Sequence, residues 1–153
     1  MTLVVENLTC RRGQRVVLRE LGFTLGAGGV LLVTGPNGGG KSTLLRLLAG
    51  LLPPESGSVR WAGVSITAEP ETYRRLITYI GHQDAVKPEL TVHEMIGYWA
   101  ALADSDYALQ DLLAKFMLTD LADRRVRHLS AGQKRRLALT RLFLPTTPLW
   151  LLD

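Results

Sequence analysis

Cysteine is almost missing from the sequence, since Cys10 is the only one among 153 residues. A lone cysteine cannot form a disulfide within its own chain, so internal cross-links are excluded and a reducing compartment is the default location. The fold must therefore be held by a hydrophobic core. Hydrophobic residues make up 46% of the chain, and a chain of this length buries about 70% of its unfolded surface in one core.

Long hydrophobic runs are missing as well. The most apolar stretch, 137–152, is interrupted by Arg141, Pro145 and Pro148, so no run approaches the roughly 18 residues that span a bilayer. The N-terminal sequence MTLVVENLT has no basic segment and reaches Glu6 before any long apolar run, unlike a signal peptide. We therefore expect a cytoplasmic chain that does not cross a membrane.

Internal repeats and low-complexity segments are absent, and 21% of the residues are charged, which excludes disordered, collagen-like and coiled-coil proteins. Acidic residues are missing from 124–136, and the pI is near 9.6. A nucleotide, a nucleic acid or an anionic lipid could bind such a segment, but a solvated basic face explains it equally well. For Lys134, Arg135 and Arg136 the solvated face is the favoured interpretation. The segment's cations are Arg124, Arg125, Arg127, Lys134, Arg135 and Arg136.

Apolar periodicity and glycine breaks predict the secondary structure. The segment 30–34 has four apolar residues in five and is expected to be a fully buried strand. Thr91 and Ser130 are expected to cap helices. Strands are predicted over Leu3–Leu8, Val16–Leu25, Val30–Thr34, 57–61, Val64–Thr67, Leu76–Ile80 and Leu149–Asp153, and helices over Lys41–Ala49, Val92–Leu102, Tyr107–Leu118 and Ala131–Leu144.

The sequence GPNGGGKS at Gly35–Ser42 matches the phosphate-binding pattern G-x-x-x-x-G-K-S/T at every fixed position. It lies between the predicted buried strand and a predicted helix, which is the context that the pattern requires. Its glycines let backbone N–H groups approach phosphate oxygens, Lys41 would reach the β- and γ-phosphates, and Ser42 would ligate Mg²⁺. The alternative is a glycine turn that binds nothing. The loop does not separate ATPases, GTPases and small-molecule kinases, but the chain lacks the guanine-reading N-K-x-D motif.

Three further segments follow the loop in a fixed order: Gln83 near the end of a predicted strand, LSAGQ at 129–133 and LWLLD at 149–153. Together with GPNGGGKST at 35–43 they resemble the Walker A, Q-loop, signature and Walker B motifs of ABC transporter ATPase subunits. Three longer segments resemble more narrowly the ATP-binding subunit of the haem exporter in bacterial cytochrome c maturation. These are ENLTCRRGQR, YIGHQDAVKPELTVHE and LSAGQKRRLALTRLFLPTTPLWLLD.

The resemblance implies an α/β fold, that of a P-loop NTPase with an N-terminal antiparallel β-subdomain, a parallel core sheet and a helical subdomain. One ABC ATPase domain would cover 1–153, with a β-subdomain and phosphate loop at 1–83, a helical subdomain at 84–144 and the Walker B strand at 145–153. The family's catalytic glutamate and switch histidine do not follow Asp153. We therefore expect a chain truncated at its C-terminus, a sheet that lacks a central strand, and no ATPase activity from residues 1–153 alone.

The resemblance also implies ATP and Mg²⁺ as cofactors and assigns the site residues. Lys41 and Gln83 would be catalytic, and Ser42, Gln83 and Asp153 would hold the metal. Nucleotide-binding residues would be Gly35, Pro36, Asn37, Gly38, Gly39, Gly40, Lys41, Ser42 and Thr43. Signature residues that contact ATP on a second subunit would be Leu129, Ser130, Ala131, Gly132 and Gln133.

The implied partners are integral membrane transporter subunits and a second ATPase subunit, at the cytoplasmic face of the bacterial inner membrane. No nucleic acid is expected, and a soluble ABC ATPase acting on nucleic acid or ribosomes remains the alternative, together with an inert fragment. Stable haem binding is not expected because the cysteine and the histidines have no shared metal-ligand spacing. These residues are Cys10, His82, His93 and His128.

The chain departs from the family pattern at two positions. Many ABC ATPases stack adenine on an aromatic residue before the first glycine turn, where this chain has Arg12 and then Gly13. Guanidinium stacking on a base is possible but gives weaker support for base binding. Ala131 replaces the commoner glycine in the signature, which requires that this position avoid a positive φ.

Overall fold

The computed structural model describes residues 1–144 and 147–153. It forms two compact units, one made of Met1–Tyr79 with Leu151–Asp153 and the other of Ile80–Trp150. The first two residues of the segment 145–153, predicted to be the Walker B strand, lie outside the described residues.

The first unit contains a four-stranded antiparallel sheet in the order β2-β1-β3-β4. The strands predicted on either side of Gly13 and of Ala62–Gly63 form two antiparallel pairs. The β3–β4 turn places Ala62 at φ 50° and Gly63 at φ 86°, the positive values that a tight two-residue hairpin turn requires. The strands are β1 (Leu3–Arg12), β2 (Arg15–Leu25), β3 (Ser56–Trp61) and β4 (Val64–Ser65).

Strand β1 alternates buried and exposed side chains over its first half, as expected of a strand with one face on the core. Cys10 is buried as part of this core. The pairing of β1 with β3 shifts register between Glu6 and Thr9, where Asn7 has φ 49°. A Cβ at Gly57 would lie 2.4 Å from the Asn7 carbonyl oxygen, so this irregularity fits only glycine at position 57.

Helix α1 (Lys41–Leu48) confirms the helix predicted after the glycine loop. It buries Thr43, Leu44, Leu47 and Leu48 and leaves its opposite face partly exposed. Gly50 ends the helix in the left-handed conformation at φ 65°, and the Leu51 N–H donates to the Arg46 carbonyl at 2.9 Å. A short helix that the sequence pattern did not predict, α2 (Pro70–Arg74), begins with proline at its first position.

One predicted strand does not form. The segment 30–34 has no strand conformation, and Val30 and Leu32 are 93% and 81% exposed. A strand is stable when its backbone groups pair with a neighbouring strand, and no strand within 1–144 and 147–153 pairs with this segment. The expectation of a buried strand was wrong. An apolar run favours burial, but a strand also needs a neighbouring strand to pair with, and the run itself does not supply one.

The second unit is mainly helical, with α3 (Val92–Leu102), α4 (Leu109–Lys115) and α5 (Ala131–Leu139). Three 3₁₀ turns lie at Thr119–Leu121, Val126–His128 and Thr140–Phe143, the last in place of the predicted continuation of α5. Thr91 and Ser130 cap α3 and α5, as predicted. Fully buried side chains of its core include Val92, Met95, Ile96, Leu118, Val126 and Leu137.

Two short strands, β5 (Ile77–Ile80) and β6 (Leu149–Leu152), form a second sheet, and the boundary between the units passes through both. Strand β5 ends just before Gly81, as predicted, and β6 ends at Leu152, one residue earlier than predicted. In the described part of the chain, no helix is long and apolar enough to cross a membrane.

Candidate functional site

The loop before α1 has a backbone that favours glycine. Gly35, Gly38 and Gly40 have φ values of 147°, 76° and 92°, which other residues rarely adopt. At Gly40 a Cβ would also lie 2.9 Å from the Val17 carbonyl oxygen. The loop is exposed up to Gly39, so its backbone is accessible to a ligand.

Lys41, the first residue of α1, folds back over this loop. Its Nζ donates hydrogen bonds to the carbonyl oxygens of Gly35 at 2.8 Å and Pro36 at 2.9 Å. Both bonds are exposed to solvent and each contributes little net stability, so a phosphate oxygen can replace either carbonyl at small cost. The positive end of the α1 dipole lies at the same place, which adds to the attraction for an anion.

Ser42 joins the loop to the end of β6. Its hydroxyl donates to Asp153 Oδ1 at 2.7 Å, across 111 residues of sequence, and Asp153 Oδ2 is buried. A hydroxyl and a carboxylate are oxygen ligands of the kind that Mg²⁺ prefers, and Mg²⁺ sites typically combine one or two such groups with phosphate oxygens. The donor set therefore fits Mg²⁺. Of the predicted site residues, the structure brings together the phosphate loop, Ser42 and Asp153.

Gln83 lies in an exposed bend after β5 and belongs to the second unit. In that unit Arg135 of α5 contacts both sides of the Gln83 position. Its Nη1 donates to the Gly81 carbonyl at 2.8 Å and lies 3.5 Å from Asp84 Oδ1. Arg135 was interpreted as a solvated surface residue; its side chain is 34% exposed and also bonds to this loop. No sequence signal distinguishes it from its two cationic neighbours.

The signature residues form the start of α5. The Ser130 hydroxyl accepts from the Gln133 N–H at 3.2 Å, and Gln133 Oε1 accepts from the Ser130 N–H at 2.8 Å. This reciprocal cap uses the hydroxyl only as an acceptor, so its proton can still be donated to an anion. Ala131 is helical and not among the residues with positive φ, so it meets the condition for replacing glycine. Ala131 and Gly132 are exposed.

The position expected to contact the base lies at the end of the β1–β2 hairpin. Arg12 pairs across the hairpin with Arg15, and both are exposed. The preceding Arg11 is held by Glu55, with Nε within 3.0 Å of both carboxylate oxygens. The Arg11 guanidinium is therefore already engaged by Glu55, and the like charges of Arg12 and Arg15, directly opposite each other, repel.

Clustered metal ligands of the histidine, cysteine and carboxylate type are not found: within 1–144 and 147–153 no three such residues lie close enough to hold an ion. Cys10 is buried in the first unit, and His128 Nε2 accepts from the neighbouring Arg127 Nε at 3.2 Å.

Comparison with known proteins identifies the family. The ABC transporter family model matches residues 18–153. Among curated relatives, the cytochrome c biogenesis ATP-binding export protein CcmA of Paramagnetospirillum magneticum is 48% identical over 99% of this chain and 72% of its own length. CcmA of Rhodospirillum rubrum is also 48% identical, over 97% of this chain and 64% of its own length. CcmA of Nitrosococcus oceani is 46% identical over 99% of this chain and 70% of its own length.

Solved structures agree with the fold. An ATP-binding subunit of an ABC transporter superposes with a TM-score of 0.87 at 30% identity, over 100% of this chain and 66% of that one. A second structure, cbiO1 from Clostridium perfringens, gives a TM-score of 0.78 over 99% of this chain and 64% of that one. Because its sequence identity is only 22%, it supports the fold alone. The resemblance indicated by the motifs is confirmed: the chain belongs to the ABC transporter family and, within it, to the CcmA cytochrome c biogenesis ATP-binding export proteins.

Proposed function

We propose that the chain is the ATP-binding subunit of an ABC exporter in bacterial cytochrome c biogenesis, and that it couples ATP hydrolysis to export of haem or a related step. The relatives' names support the pathway and the export role. The observation that carries the proposal is the 2.7 Å bond from Ser42 to Asp153, which joins the phosphate loop to the carboxylate at the end of β6. A glycine turn that bound nothing would not require this pairing.

The phosphate loop would bind the triphosphate of ATP. Its backbone N–H groups and the start of α1 would receive the phosphate oxygens over residues 35–43. Lys41 would exchange the carbonyls of Gly35 and Pro36 for the β- and γ-phosphates, because a charged oxygen is the stronger acceptor for an ammonium group.

Ser42 and Asp153 would hold Mg²⁺, with Gln83 as a further ligand. When bound, the ion neutralises charge that develops on the phosphates during transfer. Ser42 would turn its hydroxyl oxygen from Asp153 towards the ion, and the Asp153 carboxylate would remain in place beside it. The amide of Gln83 can contact the metal through its oxygen and orient a water molecule.

The signature would act on the ATP of a second copy. Ser130 can donate its hydroxyl proton to the γ-phosphate while its capping bond to Gln133 is kept. The first N–H groups of α5 would add a partial positive charge. One chain therefore supplies the phosphate loop of one site and the signature of another, and the proposed active form is a dimer.

Hydrolysis is proposed for the full-length protein. The catalytic glutamate and the switch histidine of the family are not among residues 1–153, so the catalytic assignments in this chain are Lys41 and Gln83.

The proposed partners are integral membrane subunits at the cytoplasmic face of the inner membrane, contacted through Gln83 and the segment 84–94. The alternative of nucleic-acid binding rested on the basic segment 124–136. Three of its six cations are engaged by other groups, since Arg125 and Arg127 pair with Glu89 and Arg135 bonds to the Gln83 loop. These pairings reduce the charge that the segment can offer to a polyanion, which favours membrane subunits as the proposed partners.

A strain that lacks its own exporter ATPase tests the proposal. The full-length protein, expressed with its membrane subunits, is expected to restore covalent haem attachment to c-type cytochromes and to copurify with those subunits. Lys41→Ala is expected to abolish the restoration, and Lys115→Ala, an exposed lysine on α4, is the matched control. Full restoration by Lys41→Ala would contradict the proposal, as would retention on RNA that is lost at high salt in place of copurification with membrane subunits.

A further inference from the structure

The signature helix and the Gln83 loop are joined by one side chain within the second unit. Arg135 Nη1 donates to the Gly81 carbonyl at 2.8 Å and lies 3.5 Å from Asp84 Oδ1. These partners stand two residues before Gln83 and one residue after it. The guanidinium thus fixes both ends of a four-residue loop whose third residue, Gln83, is exposed.

This contact is better shielded from water than comparable pairs. The side chains of Arg135 and Asp84 are 34% and 20% exposed, whereas Glu89, which pairs with Arg125 and Arg127, is 67% exposed. Exposed ion pairs contribute little, while charge-assisted bonds in a less polar surrounding are stronger. The planar guanidinium also fixes direction, which a lysine ammonium does not.

The loop has a conformation that its surroundings must hold. Ala85, directly after Asp84, has φ 52°, a left-handed value that a non-glycine residue adopts at a cost. Such conformations persist where other contacts determine the backbone, and the bonds from Arg135 to Gly81 and Asp84 are contacts of this kind.

Helix α5 carries both the signature and Arg135, the residue that bonds to the Gln83 loop. Its first residues are the signature, capped by Ser130, and Arg135 follows one turn later. A displacement of the helix end is transmitted to any group bonded to the same helix, provided that the bond holds. We infer that Arg135 is a positioning residue that ties the Gln83 loop to the signature helix and so keeps Gln83 placed for the metal. The inference rests on the proposed function, in which Gln83 contacts Mg²⁺.

The test measures the Mg²⁺ concentration that gives half-maximal ATP hydrolysis by the full-length protein with its membrane subunits, and ATP affinity separately. Arg135→Ala is expected to raise this concentration about tenfold, as loss of a group that orients a metal ligand does, with ATP affinity unchanged. Arg135→Lys keeps a cationic donor, and its half-maximal Mg²⁺ concentration is expected to lie between those of the wild type and Arg135→Ala. Asp84→Asn is expected to have a smaller effect because the shorter bond to Gly81 remains. Arg127→Ala, which removes an exposed pair from the same unit, is the control.

Equal Mg²⁺ dependence of Arg135→Ala and Arg127→Ala would overturn the inference. If Arg135→Ala does not fold, Arg135→Lys and Asp84→Asn decide, and wild-type Mg²⁺ dependence in both overturns it. Failure of the proposed function gives a different result: the wild type and Lys41→Ala would then bind ATP with the same affinity.

Discussion

Lys41 and Ser42 are adjacent in the chain, but their side chains bond to different partners. The Lys41 ammonium lies on the carbonyls of its own loop, and the Ser42 hydroxyl donates to Asp153 on a distant segment. The proposed roles are therefore separable. In the proposal, Lys41 would supply charge to the phosphates whether or not a metal is present, whereas Ser42 would act only through the metal.

Ser42→Ala tests the metal role at the residue scale. The variant loses the hydroxyl that faces Asp153, so ATP affinity measured with Mg²⁺ is expected to fall about tenfold. Affinity measured in EDTA is expected to stay unchanged. Ser42→Thr keeps a hydroxyl at the position where the pattern allows either residue, and is expected to behave like the wild type. If Ser42→Ala gains as much affinity from Mg²⁺ as the wild type does, Ser42 is not a metal ligand.

Base selectivity is expected to depend on the residue at position 12. Arg12 stands where an aromatic residue would stack on adenine, and Arg15 lies opposite it. With the phosphates supplying most of the affinity, ATP and GTP are expected to bind within about tenfold of each other, or about 1.4 kcal/mol. Titration of both nucleotides with Mg²⁺ measures the ratio. Arg12→Tyr is expected to tighten both by base stacking, and a hundredfold preference of the wild type for ATP would reveal a base contact elsewhere.

At the scale of elements, the helix that begins with Lys41 is fixed at its other end. The buried Tyr73 of α2 donates its hydroxyl proton to the Leu48 carbonyl, the last of α1, at 2.6 Å. Carbonyls at a helix end have no partner within the helix, so this bond satisfies one that would otherwise be buried unpaired. The short helix α2 therefore stabilises the helix that carries the phosphate loop.

Tyr73→Phe is expected to lower the free energy of unfolding of the full-length protein by about 1–3 kcal/mol, the cost of leaving a buried carbonyl without its donor. Urea denaturation at neutral pH measures the change. Tyr98→Phe is the matched control, because Tyr98 is 37% exposed and its hydroxyl can be replaced by water contacts. Equal stability of the two variants would show that the Tyr73 bond contributes nothing.

Stability at high pH gives a second measurement on the same residue. Burial raises the pKa of Tyr73 well above its ordinary value of 10.0. The unfolded chain therefore ionises first, so the contribution of Tyr73 is fully present below about pH 10 and is lost as the pH rises above it. The difference in stability between wild type and Tyr73→Phe is expected to shrink above pH 10. A constant difference from pH 8 to 11 would contradict this.

Sequence patterns over a few residues predicted the elements that are stabilised by contacts between residues close in sequence. The hairpins, α1 and α3 follow from turn residues, caps and apolar spacing, all of which act over a few residues. The segment 30–34 was predicted wrongly because strand formation depends on a partner that the pattern does not contain. Helix α2 was missed because five residues are too few to show helical periodicity.

At the scale of the whole molecule, the candidate site depends on contacts across long stretches of sequence. The resemblance indicated that Ser42 and Asp153 act together, and the structure places them 2.7 Å apart. Arg135 was not predicted, because its contact with Gly81 and Asp84 spans about fifty residues and follows from packing within the second unit. Motifs therefore locate the chemistry, whereas the residues that hold it in place become visible only in the fold.

The phosphate loop, Ser42 and Asp153 belong to the first unit, and Gln83 and the signature belong to the second. Nucleotide binding is proposed for the first unit, and the proposed metal binding, dimer formation and transport all presuppose it.

Equilibrium titration of the full-length protein with ATP and Mg²⁺ therefore tests the central claim, that residues 35–43 bind the phosphates of ATP. Lys41→Ala is expected to weaken binding about tenfold or more, because a hydrogen bond to a charged group contributes about 1.5–3 kcal/mol, while circular dichroism shows an unchanged fold. Lys115→Ala is expected to bind like the wild type. Equal affinity of Lys41→Ala and the wild type would contradict the account.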